Sequence, residues 1–152
     1  MLYFIHINPS KHDFLFLYNP SGSGLSSCSH TTREYHYVNI PMTFTNAQHY
    51  CRVKHTDLAT FNSSSDFSRL NRPSSDTSWL WIGLWDNPES WRTMGNDSNS
   101  WRWSATGETS KTGYHNWQPG QPNYYEAQQT CVLVKSDGGW DDSSCGTKMF
   151  FF

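Results

Sequence analysis

The 152 residues fit a single domain, because one core usually accounts for roughly 100–200 residues. Eleven Lys and Arg stand against thirteen Asp and Glu, a net charge of −2 with no long run of either sign, so a phosphate-tracking patch is absent and nucleic acid is excluded as a partner. Hydrophobic residues make up 36% of the chain but aromatics 16%, with eight Trp, so the expected core is built from large rings set among Ser, Asn and Thr, as in a loop-rich β fold.

At the N-terminus, Phe14 to Tyr18 looks like part of a signal h-region. It is shorter than the usual ~7–15 residues and follows Lys11-His12-Asp13, so it reads as a damaged leader. Asn19 to Ser29 is rich in Ser, Gly and Pro and leaves little to bury. Residues 1–32 are therefore expected to be a flexible segment and 33–152 the folded domain. No stretch approaches the ~20 apolar residues that span a bilayer, so no transmembrane helix is expected and the protein reads as secreted.

Glu34 to Asn39 alternates in a β-prone way and is closed by Pro41, which predicts a first strand. Thr43 or Thr45 can cap a helix running to about Lys54, on which Ala47, Tyr50 and Cys51 form one buried stripe. Ser64 or Ser65 can cap a second helix with Phe67 and Leu70 on one face, stopping before Pro73. Trp79 to Leu84 is a short apolar run that reads as a buried strand. A long region dense in Asn, Ser, Gly and Trp follows, up to Asn123, and Trp91, Trp101, Trp103 and Trp117 can give it a local core. Cys131 to Val134 reads as a strand, Gly138-Gly139 as a turn into Trp140, and Met149 to Phe152 as the start of a final strand.

The helix bearing Cys51, then Asp57-Leu58-Ala59, Trp81-Ile82-Gly83-Leu84, Gln121-Pro122-Asn123, Cys131, Gly139-Trp140-Asp141-Asp142 and Cys145 stand in an order that resembles the C-type lectin-like domain. The match runs from Tyr35 to Phe152, and its style is similar to the small single-domain lectins of fish. The resemblance implies an α+β fold, two helices with short antiparallel sheets and a long ligand-binding loop. It also implies a secreted binding protein of the innate-immunity type. It pairs Cys131 with Cys145, and it pairs Cys51 with a cysteine that falls immediately after Phe152. Either the sequence is cut short there, or Cys51 is free or joined to Cys28.

In sugar-binding members of this family a calcium ion takes two neighbouring sugar hydroxyls as ligands, which requires several hard oxygen donors. Carried onto this sequence, the ligand positions are Gln121, Asn123, Gln129, Asp141 and Asp142, with Pro122 cis between the first two. The set departs from the family: Gln-Pro-Asn matches neither the mannose nor the galactose pattern, Gln129 stands where Glu is usual, and Asp141 where Asn is usual. Two carboxylates and three amides imply weak calcium binding. Gln121, Asn123, Gln129 and Asp141 are also the candidate sugar contacts, and Tyr125 stands where an aromatic stacks on the sugar in galactose-selective members. Taken singly, each of these residues is an ordinary turn or loop residue; the spacing of the whole set makes the site.

The function expected is calcium-dependent glycan binding, with a calcium-independent, protein-binding module as the alternative. Catalysis is not expected. The seven His are scattered, His-Glu-x-x-His and Gly-x-Ser-x-Gly are missing, and Cys51 with His55 reads as one helix face. Asn62-Ser63-Ser64 and Asn96-Asp97-Ser98 are glycosylation sequons.

Overall fold

A computed structural model describes residues 33–87 and 100–152. Cys28, Trp91, the Asn96 sequon and the expected leader lie outside them. In chain order the elements are β1 (Val38–Met42), α1 (Phe44–Lys54), α2 (Ser64–Ser68), β2 (Leu80–Asp86), β3 (Trp101–Trp103), a 3₁₀ turn (Tyr125–Ala127), β4 (Gln129–Val134), β5 (Trp140–Ser144) and β6 (Met149–Phe151). Among the described residues six strands form one sheet in the order β1-β6-β2-β4-β5, with β3 paired to β2. The α+β class is as expected, but the sheet is mixed rather than antiparallel, since β6 runs parallel to β2 through Leu80 and Trp81.

Strand alternation sorts the core into two clusters. Leu80, Ile82 and Leu84 of β2 join Val132 and Val134 of β4 in one, with Phe61, Trp103 and Trp140. Trp81 of β2, with Cys131 and Leu133 of β4, joins the other, together with Phe44, Ala47 and Cys51 of α1. Because both faces are covered, the central strands read as continuous apolar runs rather than as alternating ones. Gly83 sits in the middle of β2 because a Cβ there would lie 3.0 Å from the Leu58 carbonyl oxygen. The Gly83 amide instead donates to the Ala59 carbonyl at 2.9 Å, closing the 57–61 segment onto the strand.

Several boundaries differ from the sequence reading. The first strand is Val38–Met42 rather than 34–39, and Pro41 lies inside it. This is an edge strand whose pairing with β6 is irregular between Val38 and Met42, where a missing N–H breaks no regular ladder. Thr43 precedes α1 without a side-chain cap bond; the Phe44 amide is satisfied by the Cys145 carbonyl at 3.0 Å, a tertiary cap. The second helix is preceded by Ser63, not Ser64 or Ser65, and ends at Ser68, although Phe67 and Leu70 do pack on the core. Trp101 and Trp103 are not a separate loop core: they form β3, pair with β2 and enter the main cluster with Trp140.

Cys131 and Cys145 are joined, Cα to Cα 5.2 Å, tying β4 to the loop after β5. Among the described residues Cys51 is free and buried, in the same cluster as Phe151 of the last strand. Burial, and then the charge of Asp57, push its thiol up to about 12, so it is inert in the native state.

The segment before β2 is held by a small polar network. The Tyr37 hydroxyl donates to Asp76 Oδ2 at 2.6 Å, the Ser78 amide donates to Asp76 Oδ1 at 2.8 Å, and Arg72 lies 3.5 Å away. The Tyr37 hydroxyl first, and the Ser78 amide second, hold Asp76 down at about 2 rather than 3.8. Burial, then the Asp76 bond, push Tyr37 from 10.0 up to about 12. A depressed carboxylate stabilises the fold above its unfolded pKa and loses that contribution as pH falls from about 4 to about 2. A raised phenol stabilises it below pH 10 and loses that contribution between about 10 and 12. Stability measured by urea unfolding across pH is expected to fall in both windows, and Asp76→Asn to flatten the acid one. An unchanged acid limb in the variant would show that the network contributes nothing.

Candidate functional site

The β4–β5 hairpin sets the site. Gly138 at φ 87° makes the turn, and the register places Asp142 opposite Val132 and Asp141 opposite Leu133. The Asp142 side chain points to the crowded face and is only 1% exposed. Such a carboxylate must find donors. The Asn123 amide donates to its Oδ1 at 3.0 Å and the Tyr124 amide to its Oδ2 at 2.7 Å, stapling the loop to β5.

Upstream, the chain is laced to the start of β5. The Trp140 amide donates to the Asn116 carbonyl at 2.8 Å, the Gln118 amide to the Trp140 carbonyl at 2.9 Å, and the Gln121 amide to the Gln118 carbonyl at 2.9 Å. The Gln121-Pro122 peptide is cis. Tyr124, Glu126 and Ala127 follow in the left-handed region at φ 49°, 54° and 55°, which is strained for residues bearing a Cβ. The strain is held by two anchors: the Asp142 staple and the Tyr124 ring, stacked on Trp101 at 5.6 Å.

The Tyr125 amide donates at 2.9 Å to both Asn123 Oδ1 and Gln129 Oε1, so these two side-chain oxygens meet at one point. Gln121 Oε1 is buried and has no hydrogen-bond donor among the described residues. Asp141 is half-buried; burial first, and then the negative charge of Asp142, raise its carboxyl above 3.8, against the Asp142 amide, which lowers it. The Tyr125 ring stands 66% exposed. Hydrogen bonds thus gather Asn123, Gln129 and Asp142 through the backbone of residues 123–125, and Asp141 is linked to them by charge. Gln121 is linked to Asn123 through Pro122, and its oxygen is unpaired.

Among the described residues no three His, Cys, Asp or Glu side chains gather in a way that could hold a metal. A cation here would have to draw on amide oxygens. Sequence reasoning missed Tyr124, whose backbone amide and ring both secure the loop; a tyrosine in the left-handed region carries no signature that a single sequence reveals.

A family model described as the lectin C-type domain matches residues 40–151. The chain belongs to the C-type lectin domain family. It is 28% identical over 117 residues to L-selectin of Mus musculus, covering 73% of this chain and 29% of that protein. It therefore spans under a third of that relative's length. Among solved structures it resembles human lithostathine, at 25% identity and a TM-score of 0.61, covering 79% of this chain and 90% of that one. It also resembles the C-type lectin CEL-I from Cucumaria echinata, at 22% identity and a TM-score of 0.62, covering 80% and 90%; this second likeness shows the fold alone. C-type lectin domains are binding modules, and this chain is a lectin domain rather than an enzyme. No helix among its described residues is long and apolar enough to cross a membrane.

Proposed function

We propose that residues 33–152 form an extracellular, calcium-dependent carbohydrate-recognition domain whose ligand set is Gln121, Asn123, Gln129, Asp141 and Asp142. The observation that carries this reading is the Gln121 side-chain oxygen, buried without a donor two residues before Asn123, whose own amide oxygen meets that of Gln129 at the Tyr125 amide. A hard cation satisfies an orphan carbonyl oxygen where the protein offers no N–H. The donor set fits calcium, which accepts amide as well as carboxylate oxygens, and each Asp142 oxygen keeps a lone pair beyond its backbone bond. When bound, calcium supplies a Lewis-acid centre for two sugar hydroxyls. The chain's own residues do the rest: the amides offer N–H donors to those hydroxyls, Asp141 offers an acceptor, and the exposed Tyr125 ring offers a stacking face. The disulfide supports an oxidising, extracellular setting.

With two carboxylates in the set, binding in the range of extracellular calcium modules, roughly 10⁻⁴–10⁻³ M, is expected. Calorimetric titration checks it, with retention on mannose and galactose resins in calcium and in chelator. Gln129→Glu is expected to tighten calcium about tenfold by adding a charge.

The second reading, calcium-independent binding of a protein ligand, is favoured by the Asp142 staple, in which both carboxylate oxygens already accept backbone amides and so tie the loop to β5. A correctly oxidised domain that binds no calcium at millimolar metal would replace the first reading with this one.

A further inference from the structure

Behind the loop lies a cavity of about 310 Å³, within the size range of small-molecule sites. Pro122 forms part of its wall, and five rings, those of Trp101, Trp103, Tyr114, Trp117 and Trp140, line it. The rings brace one another: Trp117 lies 4.9 Å from Trp101 and 5.7 Å from Trp140, and Tyr114 meets Trp140 edge-on at 5.6 Å. The rings of this box are therefore held in place, and since Trp101, Trp103 and Trp140 are only 4%, 2% and 1% exposed, the aromatic surface open to an occupant is that of Tyr114 and Trp117. Among the described residues its lining includes no carboxylate, lysine or arginine. Thr109, Ser110 and His115 contribute its polar side chains.

We infer that this box holds a neutral, apolar, ring-sized group presented as the aglycone of a glycoside, whose sugar lies at the neighbouring tip. The inference rests on the carbohydrate reading above. Pro122 connects the two places: one of its sides lines the box, and the residues bonded to it, Gln121 and Asn123, are sugar-ligand candidates. A ring of the occupant finds the partly exposed rings of Tyr114 and Trp117, an arrangement that favours flat apolar groups over branched chains. A neutral lining gives a charged group no compensation on leaving water. The volume equals that of roughly ten waters, enough for one or two fused rings.

Three ligands separate the two readings: methyl glycosides of galactose and mannose, their p-nitrophenyl counterparts, and the neutral fluorescent probe N-phenyl-1-naphthylamine. Two variants accompany them. Ser110→Phe fills the box from its polar side, and Trp117→Ala removes a wall; melting curves establish that each folds, and Ser110→Phe carries the test if Trp117→Ala does not. The expected result is that the p-nitrophenyl glycoside binds about tenfold tighter than the methyl glycoside in calcium. The probe should also bind in chelator, and Ser110→Phe should remove both effects while leaving methyl-glycoside binding unchanged. Methyl-glycoside binding with no gain from the aryl group would overturn the inference and leave the carbohydrate reading standing. Probe binding without any glycoside binding would overturn the carbohydrate reading and the aglycone assignment with it.

Discussion

Replacing Asp142 with alanine is expected to abolish calcium-dependent sugar retention and to lower stability by about 2–4 kcal/mol. The carboxylate is 1% exposed and accepts the amides of Asn123 and Tyr124, so its removal leaves two N–H groups without acceptors next to a strained backbone. Asp142→Asn separates the two effects. It keeps one oxygen for one amide but removes the charge, so it should retain much of the stability and still lose calcium. Urea unfolding and calorimetric titration of both variants check this. If Asp142→Ala folded with native stability and bound calcium as before, neither the staple nor the ligand set would hold.

Trp140→Ala is expected to be the most destabilising single change, at about 3–5 kcal/mol. Its ring meets Trp103 at 5.8 Å, Tyr114 at 5.6 Å and Trp117 at 5.7 Å, all edge-on, and lies 6.5 Å from Phe61. Truncation empties the centre of the first core cluster and undercuts the residues that precede Asp141 and Asp142. Trp140→Phe should recover part of the loss by restoring one ring. Urea denaturation followed by near-ultraviolet circular dichroism reads both quantities, since the clustered indoles dominate that signal. A loss below about 1 kcal/mol would mean that the cluster is far more plastic than its packing implies.

The fold was legible where the sequence carries a period or a covalent constraint. Ala47, Tyr50 and Cys51 stand at helical spacing; Ala47 and Cys51 are buried, together with the unforeseen Phe44, and Tyr50 packs partly buried against them. Cys131 and Cys145 are bridged as the family resemblance implies. Boundaries failed where tertiary partners replace local signals. The Phe44 amide is satisfied by Cys145, about a hundred residues away in sequence, so neither candidate threonine had to act as a cap. Pro41 reads as a stop but is tolerated inside an irregular edge strand. Trp101 and Trp103 looked like loop residues because the strand they form is three residues long, too short to show alternation. For the site, the resemblance supplied the residue set, and spacing alone could not have shown that Asp142 is occupied by backbone amides. Nor could it have shown that Gln121 holds its oxygen without a donor.

The pairing of β1 with β6 brings Val38 against Phe151, the two extremes of the domain in sequence. Time enters through this contact. Contacts so distant in sequence form late, because the loop they close must lose its freedom before the pairing contributes anything. During synthesis the central strand β2 exists long before β6, its parallel neighbour, has left the ribosome. Phe151 of β6 is one of the residues that enclose Cys51, so the burial that holds this thiol inert in the finished domain is complete only once β6 has docked. Slowing the docking of the last strand is therefore expected to raise the share of protein in which Cys51 is bridged to Cys131 or Cys145, as peptide mapping under non-reducing conditions would read.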